Sequence, residues 1–264
     1  MKMRTSLRLL AVPAALGLAT AGAHAQGFLQ WGTEFGVGDV DDLALAAVEF
    51  DDGSGPALYV AGDFDTAGGV AATNVAKWDG ASWMPLGNGF DNRVFTVAVF
   101  DDGAGSALYV GGRFITAGGV TVNRIARWGG VAWSPLGSGL NGNPFGMAVY
   151  DDAAGPALYV TGSFTTAGGI PADRVAKWNG TTWSAPDTGI NGTGVALASY
   201  GNGQAHLYAG GTFSAAGGVS SDQIAKWGPA PSRFSRCPAD IDGDGDADVG
   251  DFFAFVAAFA AGCP

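Results

Sequence analysis

The sequence predicts an all-β fold assembled from repeated units of about fifty residues, and three observations carry that expectation. The stretch ALYVAGDFDTAGGVAATNVAKWDGASWMPLGNG (57–89) returns at 107–139 and again at 157–189, and a shorter copy, HLYAGGTFSAAGGVSSDQIAKWG, occupies 206–228. Phe64, Phe114, Phe164 and Phe213 mark the same place in each copy, at intervals of 50, 50 and 49 residues, which is the signature of a repeat architecture. Glycine fills 45 of 264 positions, against an ordinary share of roughly 7%. Because glycine weakens helix interiors, such a chain is expected to consist of short strands and turns, and β-branched and aromatic runs do alternate with the glycines.

Each unit reads as four strands. In the second, VFTVAVF (94–100) and SALYVGGRF (106–114) flank the turn DDGAG, while NRIARW (123–128) and VAWSPL (131–136) flank Gly129-Gly130. Four antiparallel strands in about fifty residues is the size of one β-propeller blade, so the expected fold is a four-bladed propeller spanning residues 26–234. A β-solenoid or an open array of sheets is the structural alternative.

The tryptophans give an expectation for ring closure. Complete units carry two, five apart: Trp78 with Trp83, Trp128 with Trp133, Trp178 with Trp183. The fourth has Trp227 and no second. Trp31 precedes the strand LALAAVEF (43–50) and the turn DDGSG just as Trp83 precedes TVAVF and DDGAG. The N-terminal strand is therefore expected to complete the last blade, which would remove open sheet edges.

The recurring LYV-x-G-x-F, AGG, I/V-A-K/R-W, G-x-x-W and P-L-G-x-G resemble kelch and related secreted propeller repeats, including those of fungal cortical-marker proteins, over roughly residues 27–228. The kelch double glycine is complete at Gly111-Gly112 and Gly210-Gly211, while Ala61 and Thr161 replace its first member. The resemblance implies a propeller and leaves the activity open, since propellers host unrelated functions.

Residues 1–25 read as a secretory signal peptide. Lys2, Arg4 and Arg8 form the positive end, LLAVPAALGLATAGA the apolar core, and Ala23-His24-Ala25 the cleavage site. The protein is thus expected to be secreted, extracellular or at the cell surface, and no later stretch is long and apolar enough to make it an integral membrane protein. After cleavage 10 Lys+Arg face 24 Asp+Glu, a balance that disfavours nucleic acid as a partner.

Candidate chemistry on the repeats is sparse. His206 is the only histidine left after cleavage, so Ser-His-Asp and multi-histidine metal sites lack parts. Asp51-Asp52, Asp101-Asp102 and Asp151-Asp152 could form a rim of carboxylates acting on sugars or cations, or serve as hairpin turns, for which Asp and Gly supply the chemistry. Gly201-Asn202 takes their place in the fourth unit. Lys77, Arg127, Lys177 and Lys226 precede a tryptophan in every unit; their periodicity points to a structural part such as a salt bridge, with a ring of ligand-binding cations as the other reading. The paired tryptophans are read as core, with stacking on sugar rings as the alternative.

The C-terminal module, 235–264, is different. In DIDGDGDADVGD, counting Asp240 as loop position 1, Asp242, Asp244 and Asp248 fall at 3, 5 and 9, Gly245 at 6 and Asp251 at 12, with Asp246 contributing its backbone carbonyl. That is an EF-hand type calcium loop, so Ca2+ is the expected cofactor. The loop resembles a single dockerin repeat, which also ends in Asp and runs into a helix; FFAFVAAFA (252–260) has helical spacing. Dockerins carry two repeats, so the resemblance implies calcium binding more strongly than cohesin binding. Cys237 and Cys263, the only cysteines, are expected to form a disulfide across the module in an oxidising compartment, contributing on the order of 3 kcal/mol.

These expectations combine into an exported noncatalytic binding or surface-assembly protein. The propeller face would take a protein or polysaccharide ligand, and the terminal module would engage a cohesin-like or cell-surface partner. The alternative is an extracellular carbohydrate-active enzyme, a polysaccharide hydrolase or lyase, for which Glu34 and Glu49, the only glutamates, would be the asymmetric acids.

Overall fold

The computed structural model describes residues 39–200 and 206–228, together with the backbone of 235–236. The described residues are all-β, without a helix, and form four repeated four-stranded antiparallel sheets. The first sheet holds β1 (Leu43–Asp51) and β2 (Pro56–Asp63), then, after the small hairpin β3 (Thr66–Ala67) and β4 (Val70–Ala71), β5 (Val75–Trp78) and β6 (Trp83–Pro85). The second repeats this with β7 (Val94–Asp101), β8 (Ser106–Gly112), β9 (Thr116–Ala117), β10 (Val120–Thr121), β11 (Ile125–Trp128) and β12 (Trp133–Pro135). The third has β13 (Pro144–Asp151), β14 (Pro156–Gly162), β15 (Thr166–Ala167), β16 (Ile170–Pro171), β17 (Val175–Trp178) and β18 (Trp183–Ser184). The fourth has β19 (Thr193–Tyr200), β20 (His206–Thr212), β21 (Ala215–Ala216), β22 (Val219–Ser220), β23 (Ile224–Trp227) and β24 (Ser235–Arg236). Every four-stranded sheet has the same meander order, as in β1-β2-β5-β6.

The fourth position of the last sheet differs from expectation. Ser235–Arg236 pairs antiparallel with β23, Lys226 opposite Ser235 and Ala225 opposite Arg236, in the register that Met84 and Pro85 adopt opposite Lys77 and Ala76. The slot expected to take the N-terminal strand is therefore filled by Ser235–Arg236. Trp31 lies outside the described residues.

Three cores join consecutive sheets. Phe50 and Tyr59 of the first share a cluster with Trp128 of the second, and Phe100 and Tyr109 of the second with Trp178 of the third. Tyr150 and Tyr159 of the third contact the Trp227 ring, with centroids 5.7 and 5.6 Å away. The paired tryptophans lie 5.0–5.3 Å apart. Both members are buried in the second and third sheets, in keeping with a role in the core. Tyr59, Tyr109 and Tyr159 are fully buried; burying an aromatic side chain of this kind contributes about 1.5–3 kcal/mol.

Each first strand carries a β-bulge at the same place, between Ala44 and Ala46, Val94 and Thr96, Pro144 and Gly146, and Gly194 and Ala196. The glycine opposite accounts for an invariance within the repeats. A Cβ on Gly62, Gly112, Gly162 or Gly211 would be driven into the carbonyl oxygen of Leu43, Arg93, Asn143 or Thr193 beside the bulge. The preceding residue varies among Ala61, Gly111, Thr161 and Gly210; a Cβ on Gly111 would meet the side chains of Met147, Pro144 and Thr96 and not a backbone carbonyl.

Candidate functional site

The bulges define the candidate site. A bulge turns one residue out of the alternation of its strand, and the four turned residues, Leu45, Phe95, Phe145 and Val195, line one cavity of about 440 Å³ with Thr96, Met147 and their neighbours. Residues of β1, β7, β13 and β19 all contribute to it. The wall is apolar, and the Phe95 and Phe145 rings lie 5.2 Å apart at 46°. A volume in this range, lined mostly by apolar groups, suits a small ligand or one side chain of a larger one. Sequence reasoning missed this site, because a bulge residue looks like any other apolar strand residue until the pairing register is known.

The repeated acids and bases, read as alternatives in the sequence, are brought together. The first Asp of each pair closes its turn: Asp51 accepts from the backbone of Gly53 and Gly55 at 2.8 and 2.9 Å, Asp101 from Gly103 and Gly105, and Asp151 from Ala153 and Gly155. The second Asp faces the cation of its own sheet, with closest approaches of 2.7 Å for Lys77 and Asp52, 2.8 Å for Arg127 and Asp102, and 2.6 Å for Lys177 and Asp152. The hydroxyls of Tyr109 and Tyr159 donate to Asp102 and Asp152, each at 2.8 Å. In the first sheet the Ser54 hydroxyl donates to Asp52 at 2.7 Å and accepts from Lys77 at 2.6 Å. Lys77 and Lys177 also stand 5.5 and 5.9 Å from the ring centres of Tyr59 and Tyr159, within range of a cation–π attraction.

The electrostatics follow from these contacts. Burial pushes the Asp52 and Asp152 carboxyls up, but hydrogen bonds from the lysine, from Ser54 in the first sheet and from Tyr159 in the third outweigh it and leave both below the ordinary 3.8. For Asp102, burial is likewise outweighed by the Ala104 amide, Tyr109 and Arg127. Tyr59, Tyr109 and Tyr159 are raised well above 10.0, by burial first and then by the neighbouring aspartate. A third set of polar residues, Asp41, Asp91, Asn141 and Asn191, accepts paired backbone amides at the start of each small hairpin. The interchange of Asp with Asn shows that this position needs an acceptor and not a charge.

Other expected residues are dispersed. His206 begins β20, partly buried, with its ring where a Cβ on Gly228 would fall. Glu49 is exposed on β1 and lines a second, shallow recess of about 440 Å³ with Phe50, Asp51, Pro56, Val99 and Ser106; the Asp51 carboxylate there is already engaged by its turn. Among the described residues no cluster of three or more His, Cys, Asp or Glu could hold a metal ion, and no helix is long and apolar enough to cross a membrane. Glu34, the calcium-loop residues Asp240, Asp242, Asp244, Asp246, Asp248 and Asp251, and the cysteines Cys237 and Cys263 lie outside the described residues.

Compared with known proteins, the chain matches no protein-family model, no curated protein and no solved structure.

Proposed function

We propose that this chain is an exported, noncatalytic binding or surface-assembly protein. Its four sheets form a kelch-like β-propeller whose axial cavity receives an apolar group of a protein or polysaccharide ligand. The convergence of the four bulge residues on one cavity is the observation that carries this reading. The employment of the repeated aspartates in turns and ion pairs supports its noncatalytic half, because a glycosidase needs two carboxylates able to face one bond. On this reading, substitution of Phe95 or Phe145 by Ser abolishes binding to ligands captured on glycan and protein arrays while the protein stays folded. Release of reducing ends from a polysaccharide, abolished by Glu49→Gln or Glu34→Gln, would instead favour the carbohydrate-active enzyme.

The terminal module is proposed to bind one Ca2+ through Asp240, Asp242, Asp244, Asp248 and Asp251 and the Asp246 carbonyl, with a Cys237–Cys263 disulfide, and to attach the propeller to a cohesin-like or cell-surface partner. The spacing of oxygen donors around Gly245 supports this. Calorimetric titration of calcium into residues 26–264, and into a chain ending at Arg236, is expected to give about one ion in the first and none in the second. Equal heats in the two would remove the calcium loop from the proposal.

A further inference from the structure

Three sheet junctions share one chemistry, and the surfaces where a fourth would form depart from it at two positions. Within a junction, an apolar residue on the first strand of the following sheet packs against the aromatic pair of the preceding one: Val99 belongs to the core of Phe50 and Tyr59, Val149 to that of Phe100 and Tyr109, and at the third junction, where Ser199 takes the place of these valines, Leu197 packs against Tyr150 and Tyr159. The cation of the preceding sheet stands beside the same tyrosine and is neutralised by the aspartate of its own turn. An apolar residue thus arrives next to a tyrosine whose neighbouring cation is already paired.

The two remaining faces form separate clusters among the described residues. Val60 and Ala76, with Leu58 and Trp78 against them, make up the outer face of the first sheet; Ala196, Tyr208 and Ile224, with Ala198 and Tyr200, make up that of the fourth. The close packing of β1 on β7, β7 on β13 and β13 on β19 is not repeated between β19 and β1, although Leu45 and Val195 line the same cavity. On the first sheet the place of Val99 and Val149 is taken by Glu49, exposed and without an ion pair among the described residues. On the fourth, Lys226 holds the place of Lys77, and the segment GNGQA (201–205), which takes the place of the D-D-G/A-x-G stretches in the sequence, contains no acid to pair with it. Among the described residues Lys226 has no ion pair. The carboxylate lost from the fourth sheet and the carboxylate gained on the first belong to the same missing junction.

We infer that Glu49 and Lys226 form an ion pair across the seam between the first and fourth sheets, and that each of these faces is the docking surface for the other within one chain. The inference rests on the propeller reading, and charge complementarity selects the occupant. Where Asp52, Asp102 and Asp152 neutralise their cations inside a sheet, the fourth cation is neutralised by the next sheet around. The seam is then the one junction closed by charge, and it borders the cavity at Leu45 and Val195.

A charge-reversal cycle on the full chain tests the pair. Glu49→Lys and Lys226→Glu are each expected to lower the melting temperature by about 2–4 °C, and the double swap to return it to within about 1 °C of the parent. Additive losses overturn the ion pair. A second measurement separates that failure from failure of the propeller: Ala47→Cys with Ala198→Cys, oxidised and mapped by mass spectrometry. An intramolecular link in a monomer supports a seam closed within one chain, and with it an additive cycle would discard the pair alone. A link only between two chains, or none, overturns the inference and the closed ring together.

Discussion

The indole Nε1 of Trp183 donates to the backbone carbonyl of Leu136 at 2.8 Å, across 47 residues and from the third sheet to the second. Trp133 repeats the bond to Leu86 at 3.2 Å. The second and third sheets are thus each tied to their predecessor by a buried polar link as well as by apolar packing. Trp183→Phe keeps a ring but removes the indole donor, leaving the Leu136 carbonyl with the Gly139 amide alone and a small void, at a cost of about 1 kcal/mol. A lower thermal midpoint should register the loss; an unchanged one would show that the link is dispensable.

Asp102 and Asp101 are neighbours with unequal roles. Asp102→Asn leaves Arg127 without its counter-charge in a largely buried setting and should cost about 1–3 kcal/mol. Asp101→Asn preserves a side-chain acceptor for Gly103 and Gly105 and should cost under about 0.5 kcal/mol. Urea titration of the two variants compares them directly.

The folded carboxyls of Asp102 and Asp152 lie below the ordinary 3.8. Their stabilisation is therefore complete above that value and is lost as pH falls through the folded value. The melting temperature should stay level from neutrality to about pH 5 and decline below about pH 4, with a shallower decline in Asp152→Asn. At the alkaline end the sign reverses: Tyr59, Tyr109 and Tyr159 are raised above 10.0, so the stability they carry is lost as pH climbs past that value. In an ultraviolet absorbance titration these three should ionise only as the protein unfolds.

Gly162→Ala should be far more damaging than its size suggests, because the added methyl meets the Asn143 carbonyl beside the bulge. A cost of about 2 kcal/mol is expected from overpacking against backbone that cannot retreat. The same exchange at Gly53, where a Cβ would meet nothing but the φ of +96° is unfavourable, separates steric from conformational cost when both are measured by denaturant titration.

Much of the fold was legible because the repeat multiplied each signal. The segment 94–100 is recovered as β7 and 106–114, trimmed at its end, as β8; the D-D-G/A-x-G stretches are turns, and Lys77, Arg127 and Lys177 are salt-bridged. The small hairpins such as β3 and β4 were not anticipated, although Gly68-Gly69, both at positive φ, is a two-residue turn signal. The tryptophan landmark points to Trp31 for the last strand of the fourth sheet, whereas Ser235–Arg236 takes that place. Ser235–Arg236 pairs with Ala225 and Lys226 and contains no tryptophan. A strand without the landmark residue gives no signal to a tryptophan periodicity. The cavity was hidden for a deeper reason: a one-residue shift in pairing decides where Phe95 and Phe145 point, and composition carries no trace of it.

The bulges place one side chain per repeat outside the hydrogen-bonded logic of its sheet. Leu45, Phe95, Phe145 and Val195 bring three residue types to four equivalent places while the ladder around them keeps its register. They spell a four-letter word, Leu-Phe-Phe-Val, on a scaffold that reads almost the same in every line. Changing a letter rewrites what the cavity can hold without disturbing the grammar that folds the chain.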